Sequence, residues 1–225
     1  MRPLPTPGER MEAIMRLFAP VHAVAEIGAD HGILSAHLVK RKICQKIIVT
    51  DRSAVSLEKA KRLFFLHRLG ESAVFCVGDG LLALPEPVDA ALIAGMGAES
   101  IISILEKGKE KLGNAALILQ ANGKQRLLRE WLFANRYTID DEVIAKEKGR
   151  YYIVIRAVQD DKGRADTCCS EKCFMEKEAF LGPVLMRKRP AYWGEYLSFL
   201  QKCLTRERDL DCSALRWVAE ELLGK

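Results

Sequence analysis

Glu26, Gly28, Asp30, His31 and Gly32 fall within seven residues, between an apolar run, Val24–Ile27, and a helix-like segment, Ile33–Lys42. A strand, a glycine turn and a helix in that order form the cradle in which doubly wound α/β proteins hold a nucleotide-like cofactor. The dinucleotide fingerprint needs glycine at the third and sixth positions counted from Gly28. Here those positions are Asp30 and Ile33. A carboxylate aimed at a pyrophosphate in a dry loop costs on the order of several kcal/mol. The same carboxylate suits a ligand that carries positive charge and no phosphate. S-adenosylmethionine has an ammonium, a sulfonium and no phosphate, so the turn predicts this methyl donor rather than NAD.

Two further carboxylates extend the pattern. Asp51 ends the second apolar run, 23 residues after Gly28, where an acid can accept both ribose hydroxyls. Its competing reading is an acid at a helix N-terminus beside Ser53. Gly78-Asp79-Gly80 follows the third run, where a carboxylate can bond an adenine amino group and the glycines permit a tight turn. The fourth run ends in Ile93-Ala94-Gly95-Met96-Gly97. Strand carboxyl ends line the reaction crevice in such folds. Small residues there leave room for a flat ring, and the Asn/Asp-Pro-Pro-aromatic motif of exocyclic-amino methylation is absent. The predicted donor-binding set is Glu26, Gly28, Asp30, Gly32, Asp51, Arg52, Gly78, Asp79, Gly80, Ala94, Gly95 and Met96.

The elements that must position these residues alternate. Strand-length runs at Val24–Ile27, Lys46–Thr50, Ala73–Val77, Ala90–Ala94 and Ala116–Gln120 are interleaved with helix-length segments at Ile33–Lys42, Ser53–Leu69, Glu99–Leu112 and Lys124–Asn135. This predicts a parallel sheet with helices on both faces. Tyr137–Ala145 and Tyr151–Val158, joined by Lys146–Arg150, pair as a hairpin because no helix fits between them. The expected class is α/β, a Rossmann-like class I methyltransferase domain with a mostly parallel seven-stranded sheet. Ahead of it, Thr6-Pro7-Gly8-Glu9 reads as a helix start, with Thr6 as the cap, Pro7 the first helical residue and Glu9 the capping-box acid. Gln159–Ser170 reads as a linker. Beyond it, Glu171–Arg189 and Ala191–Leu223 predict two helices turning back on each other, a helical hairpin or coiled-coil-like C-terminal domain. The expected division is 1–160 for donor binding and 161–225 for the helical domain.

The chain has 225 residues and a formal charge of +5, which admits an anionic partner without requiring one. Seven cysteines without a CxxC pair suit a reducing, cytoplasmic setting. Cys168, Cys169 and Cys173 lie close together, but no His or second Cys pair follows at ligand spacing, so no metal is expected. The longest apolar stretch, Ala90 to Ile104, is broken by Glu99, and no membrane association is expected.

The residues resemble a known family. Glu26–Gly32 resembles the Asp-Ile-Gly-Ser-Asp-His block of the bacterial tRNA (adenine-22-N1)-methyltransferases, TrmK. Similar matches follow in order: Gly78-Asp79-Gly80, Ile93–Gly97, Leu119-Gln120-x-Asn122, Leu128-Arg129-x-Trp131-Leu132-x-x-Asn135, Gly182-Pro183 and Glu195-Tyr196. The resemblance runs from about residue 6 to the C-terminus. It implies a Rossmann-like domain with a helical C-terminal domain, S-adenosylmethionine as donor, and N1 of an adenine in the D-arm region of tRNA as target. The chain departs from the family in Glu26 for Asp, in Ile33 and Ser35 for an aromatic and Pro, and in Ala121 for the Pro of Leu-Gln-Pro-Asn. Glu26 is expected to keep the methionine end through backbone or water, and the lost Pro to loosen the fifth-strand loop.

Neutral adenine N1 already has a free lone pair, so no strong base is needed. The methylated ring stays cationic until N6 loses a proton. A carboxylate beside N6 would orient the base, stabilise that cation and accept the proton. Asp30 is the first candidate; its alternative is the donor's ammonium. His31 orients Asp30, stacks on the base, or caps the helix. Asn122 bonds the adenine edge or caps the helix at Lys124. Arg187, Lys188 and Arg189, with Tyr192 and Trp193 just beyond, are the expected RNA contacts, and Lys40-Arg41-Lys42 is a weaker patch. Rival readings are a methyltransferase for a small molecule or protein, and a non-catalytic RNA-binding relative.

Overall fold

The computed structural model describes residues 3–159, 176–205 and 212–224. Helix α1 (Glu9–Arg16) precedes an alternating series: β1 (Val21–Ile27), α2 (Ile33–Lys40), β2 (Cys44–Asp51), α3 (Ala54–Leu66), β3 (Ala73–Val77), β4 (Ala90–Met96), α4 (Ala98–Leu112), β5 (Ala116–Ala121), α5 (Gln125–Ala134), β6 (Tyr137–Glu147) and β7 (Arg150–Gln159). The helical tail follows: residues 176–181 (α6), α7 (Pro183–Lys188), α8 (Trp193–Leu204) and α9 (Cys212–Leu222).

The strands form one seven-stranded sheet in the order β3-β2-β1-β4-β5-β7-β6. The first five strands run parallel, and β7 enters antiparallel to β5 and to β6. Alternation of side chains sends the strands' apolar residues into two cores. Ala25, Ile27, Ala91 and Ile93 pack with α4, α5 and the tail. Val24, Val49 and Leu92 pack with α1, α2 and α3. The chain reverses its progress across the sheet between β1 and β4, and such a switch point opens a crevice at the strand carboxyl ends.

The expected strands and first helices are present, with ends shifted by one to three residues. Three expectations need correction. The first helix starts at Glu9 with Gly8 as its cap residue, not at Pro7 under Thr6. A distant carboxylate takes the capping role: Arg10 N donates to Glu147 Oε2 at 3.1 Å, and any Cβ at Gly8 would overlap that carboxyl group. Second, the described residues of the tail hold four helical segments, not two. Gly182, at φ +100°, and Pro183, the first residue of α7, interrupt the first segment. Arg189 and Tyr192 take left-handed backbone before α8. The hairpin that does form pairs α8 with α9. Third, Gln159 belongs to β7; the rest of the expected linker lies outside the described residues, as do residues 171–175 and the three clustered cysteines.

Among the described residues the tail shares the core of the sheet's β6 side. Leu181, Leu185, Trp193, Leu197 and Trp217 belong to the same apolar cluster as Leu128, Leu132 and Ile139 of α5 and β6. A buried ion pair fixes the junction. Arg129 Nε donates to Glu142 Oε1 at 2.8 Å, and its NH1 donates to the carbonyls of Ala179 and Phe180 at 3.0 Å. Glu142 Oε2 accepts from Val184 N at 3.0 Å and Leu185 N at 3.3 Å. Gly182 has no room for a Cβ between these two side chains.

Candidate active site

A cleft of about 720 Å³ opens at the carboxyl ends of β1, β2 and β4. A second lobe of about 280 Å³ lies between α1 and the loop after β1. Gly28, Ala94 and Gly95 line both lobes, so they form the junction.

The loop after β1 is held by its neighbour strand. Gly28 N and Ala29 N donate to Thr50 O at 2.8 and 3.1 Å, and Asp30 N donates to Asp51 Oδ2 at 3.1 Å. Gly28 has φ +72°, and a Cβ there would overlap Met96 Cε, so the turn needs glycine. Asp30 also takes left-handed backbone, which Asp tolerates better than most side chains. Gly32 opens α2 in left-handed backbone, and its missing Cβ lets α2 approach Ala60 of α3, where a Cβ would come within 2.8 Å.

Asp51 and Asp79 face the large lobe. Each oxygen of Asp51 accepts one protein donor, Asp30 N or Ser53 N. Arg52 bends across to Asp79, with Nε at 2.9 Å from Oδ1, and Lys107 stands 3.5 Å from Oδ2. These cations, the Arg52 hydrogen bond first, hold the Asp79 carboxyl below its ordinary range. Gly78 and Gly80 line the same wall.

Glu26 lies on the floor of the small lobe and is only 7% exposed. Its Oε2 accepts from Ser35 N at 3.0 Å and from Ser35 Oγ. Two of the departures from the family pattern therefore touch each other. A proline at position 35 could supply neither donor, and the longer Glu reaches both. Burial pushes the Glu26 carboxyl up to about 7, against the opposing pull of Ser35 and Arg10.

Asp30 and His31 stand at the open rim of that lobe. His31 Nδ1 is 2.6 Å from Asp30 Oδ2, and Lys59 Nζ is 3.3 Å from His31 Nε2. A lysine ammonium only donates, so the network assigns the proton of a neutral His31 to Nδ1, donating to Asp30. The imidazole thus orients the carboxylate.

Sequence reasoning missed Arg10 and gave Gln120, quoted only within the Leu119-Gln120-x-Asn122 match, no role. Their contact was hidden because they lie far apart in the chain. Strand β4 bulges at Gly95, which has φ +79° and sits between Ala94, opposite Gln120, and Met96, opposite Ala121. Gln120 is fully buried, and its Oε1 accepts from Arg10 NH1 at 3.1 Å and Gly95 N at 3.2 Å. Its Nε2 donates to Asn122 Oδ1 at 3.2 Å, and Asn122 Nδ2 donates to Gly95 O at 2.7 Å. Asn122 caps no helix, which corrects that reading of it; α5 begins after Lys124 without a side-chain cap. Its exposed amide holds the bulge.

The tail residues expected to meet RNA are not alike. Lys188 Nζ pairs with Asp141 Oδ1 at 2.8 Å and Arg189 NH2 with Glu221 Oε2 at 3.2 Å. Asp141 lies six residues before the end of β6, roughly 20 Å along the strand from the cleft edge. Trp193 is 6% exposed and packed near Tyr196, so its ring is a core residue and no base can stack on it. Tyr192 is half-buried beside the Lys146 ammonium, 5.9 Å from its ring centre, and a hydrogen bond with Glu9 raises its hydroxyl pKa. Arg187 is exposed and has no salt-bridge partner among the described residues.

Among the described residues no group of three or more His, Cys, Asp or Glu side chains is placed to hold a metal ion, and no helix is long and apolar enough to cross a membrane.

Residues 8–155 match a family described as a methyltransferase domain. A tRNA (adenine(22)-N(1))-methyltransferase of Bacillus subtilis is 33% identical over 199 residues, 86% of this chain and 82% of the relative. The chain belongs to this methyltransferase family. A Streptococcus pneumoniae protein solved in complex with S-adenosyl-L-methionine superposes with a TM-score of 0.83 at 25% identity, covering 96% of this chain and 100% of that one. The Bacillus subtilis m1A22 tRNA methyltransferase TrmK superposes at 0.73 with 26% identity, over 97% and 96% of the two chains. Family membership accounts for a loop in which Asp30 stands where a dinucleotide-binding protein would place glycine.

Proposed function

We propose that this protein transfers a methyl group from S-adenosylmethionine to N1 of adenine 22 in bacterial tRNA. The observation that carries the reading is the paired set of charges around the junction. Asp51 and Asp79 face the large lobe, and Glu26 and Arg10 face the small one. Asp51 has acceptor capacity for ribose hydroxyls, and Asp79 for an adenine amino group. Arg10 and Glu26 match the carboxylate and ammonium of a methionine tail. Gly28, Ala94 and Gly95 leave space for a sulfonium between them. The residues present therefore fit this donor, which supplies an electrophilic methyl group when bound.

The chain's own residues do the rest. Gln120, Asn122 and Arg10 fix the Gly95 bulge at the junction, so these are positioning residues. Asp30 faces the open rim, oriented by His31 and Lys59. It accepts the N6 proton of the N1-methylated adenine and offsets the ring's positive charge. The target base must leave its stack to reach the rim. The exposed Arg187 and half-buried Tyr192 are the tail side chains left to meet RNA. Residues 1–160 carry the donor and the chemistry; residues 161–225 add RNA contacts. A cytoplasmic setting goes with this substrate.

The test is to incubate the protein with methyl-labelled donor and bacterial tRNA transcripts, then map modified nucleosides. Label in 1-methyladenosine at position 22 is expected, with loss when that adenine is replaced by guanine. Label confined to small molecules or protein would overturn the reading.

A further inference from the structure

Helix α3 begins at Ser53, two residues past Asp51 of the cleft, and its 13 residues carry it roughly 20 Å away. Its inner face is ordinary: Leu57, Ala60 and Phe64 are buried. An outer face against water should be polar. Here Val55, Phe65 and Leu66 are exposed, Phe65 by 81%. Around them stand Lys59, Lys61, Arg62 and, just beyond the helix, Arg68, against a single acid, Glu58. Lys61 pairs with Glu58 at 2.6 Å. Arg62 and Arg68 have no salt-bridge partner among the described residues. A shallow groove lies between Lys61, Arg62, Phe65 and Leu66. At the cleft end, Lys59 touches His31, which holds Asp30.

An uncommitted guanidinium beside an open aromatic ring fits a phosphate and a base on one strand. The cations are of one sign and lead from the reaction rim. The tail patch differs: Lys188 and Arg189 are already paired, and Trp193 is buried. We infer that the outer face of α3 is the principal docking surface for the tRNA substrate, with Arg62 and Arg68 on phosphates and Phe65 under a base. This rests on the tRNA reading of the cleft and adds the track by which the RNA reaches it. At about 3.4 Å per stacked nucleotide, the helix spans roughly six nucleotides.

The experiment compares full-length wild-type protein, Arg62→Ala/Arg68→Ala, Phe65→Ala and Lys188→Ala with bacterial tRNA transcripts at several salt concentrations. All substituted side chains are exposed, and thermal unfolding checks each fold. The double variant should weaken tRNA binding and raise its KM about tenfold or more. Its log Kd against log salt slope should be shallower by roughly two contacts. Phe65→Ala should weaken binding about tenfold, and Lys188→Ala less than twofold. Donor affinity, and kcat at saturating tRNA, should stay within twofold in all variants. Wild-type affinity and salt slope in the double variant, with tRNA methylation intact, would overturn the α3 surface and leave the activity standing. Variants that change self-association but not tRNA affinity would also overturn it and assign the patch to a protein partner. A wild-type protein that neither binds nor methylates tRNA would remove both proposals.

Discussion

Asp30–His31 and Arg129–Glu142 are both charged pairs, and they are built on opposite terms. The Asp30 and His31 side chains are 68% and 48% exposed, and the carboxylate keeps acceptor capacity facing the cleft rim. Arg129 and Glu142 are fully buried, and backbone groups of the tail take up most of what the ion pair leaves over. A pair with spare valence at a cleft mouth is placed to act on something that arrives. A pair sealed under a helical tail can only hold shape, even though Arg129 NH2 finds no hydrogen-bond partner there. Net charge and residue type do not separate the two; accessibility does.

The contrast can be broken first at the buried pair. Arg129→Ala leaves Glu142 ionised without a side-chain partner and should cost about 3–5 kcal/mol by denaturant unfolding. Replacing both Arg129 and Glu142 by leucine should recover little of that loss, because Val184 N, Leu185 N and the carbonyls of Ala179 and Phe180 then lose their partners. A single variant within about 1 kcal/mol of wild type would show that the junction bears no strain from the pair.

Glu26 is the intermediate case, buried like Arg129 yet on the cleft floor. Its native carboxyl titrates at about 7, above its ordinary 4.5. The folded state therefore holds this proton more tightly than the unfolded state. The stabilisation is full below pH 4.5 and is lost as pH rises through 7. The loss is about 3 kcal/mol in total, at 1.36 kcal/mol for each pH unit between the two values. Glu26→Gln stays neutral and keeps an acceptor for Ser35. The stability of wild type relative to this variant should fall by that amount between pH 4 and pH 8 in unfolding titrations. A constant difference would show that the Glu26 carboxyl titrates alike in the folded and unfolded states.

Gly95→Ala probes the junction. Left-handed backbone with a Cβ costs roughly 1–2 kcal/mol, and the Cβ would crowd Arg10 NH1 at 3.3 Å. Donor affinity measured by calorimetry should drop about tenfold, equivalent to about 1.4 kcal/mol. The smallest effect belongs to the exposed tail pairs: Lys188→Ala and Arg189→Ala should each change stability by less than about 1 kcal/mol.

Much of the cleft was legible because its signals are local. The glycines after Val24–Ile27 and the acids at positions 51 and 79 lie at or just past strand ends, and alternating strands and helices bring strand ends together. The seven strands followed from apolar runs for the same reason. The staple was not legible, since Arg129 and Glu142 belong to different elements and their remaining partners are backbone groups of the tail. The contact of Arg10 with Gln120 escaped for the same cause: 110 residues separate them. Trp193 misled because basic neighbours say nothing of which way a ring points. Thr6 misled because a carboxylate 137 residues from Arg10 serves the helix start instead.

The central claim is that Asp30 serves the transfer and not the retention of the donor. The direct measurement is single-turnover methylation of tRNA by wild type and Asp30→Ala at saturating donor, with the donor Kd of each measured alongside. The account predicts a rate lower by about 10²–10⁴-fold with a Kd within a few-fold of wild type. An unchanged rate together with a lost donor affinity would contradict it.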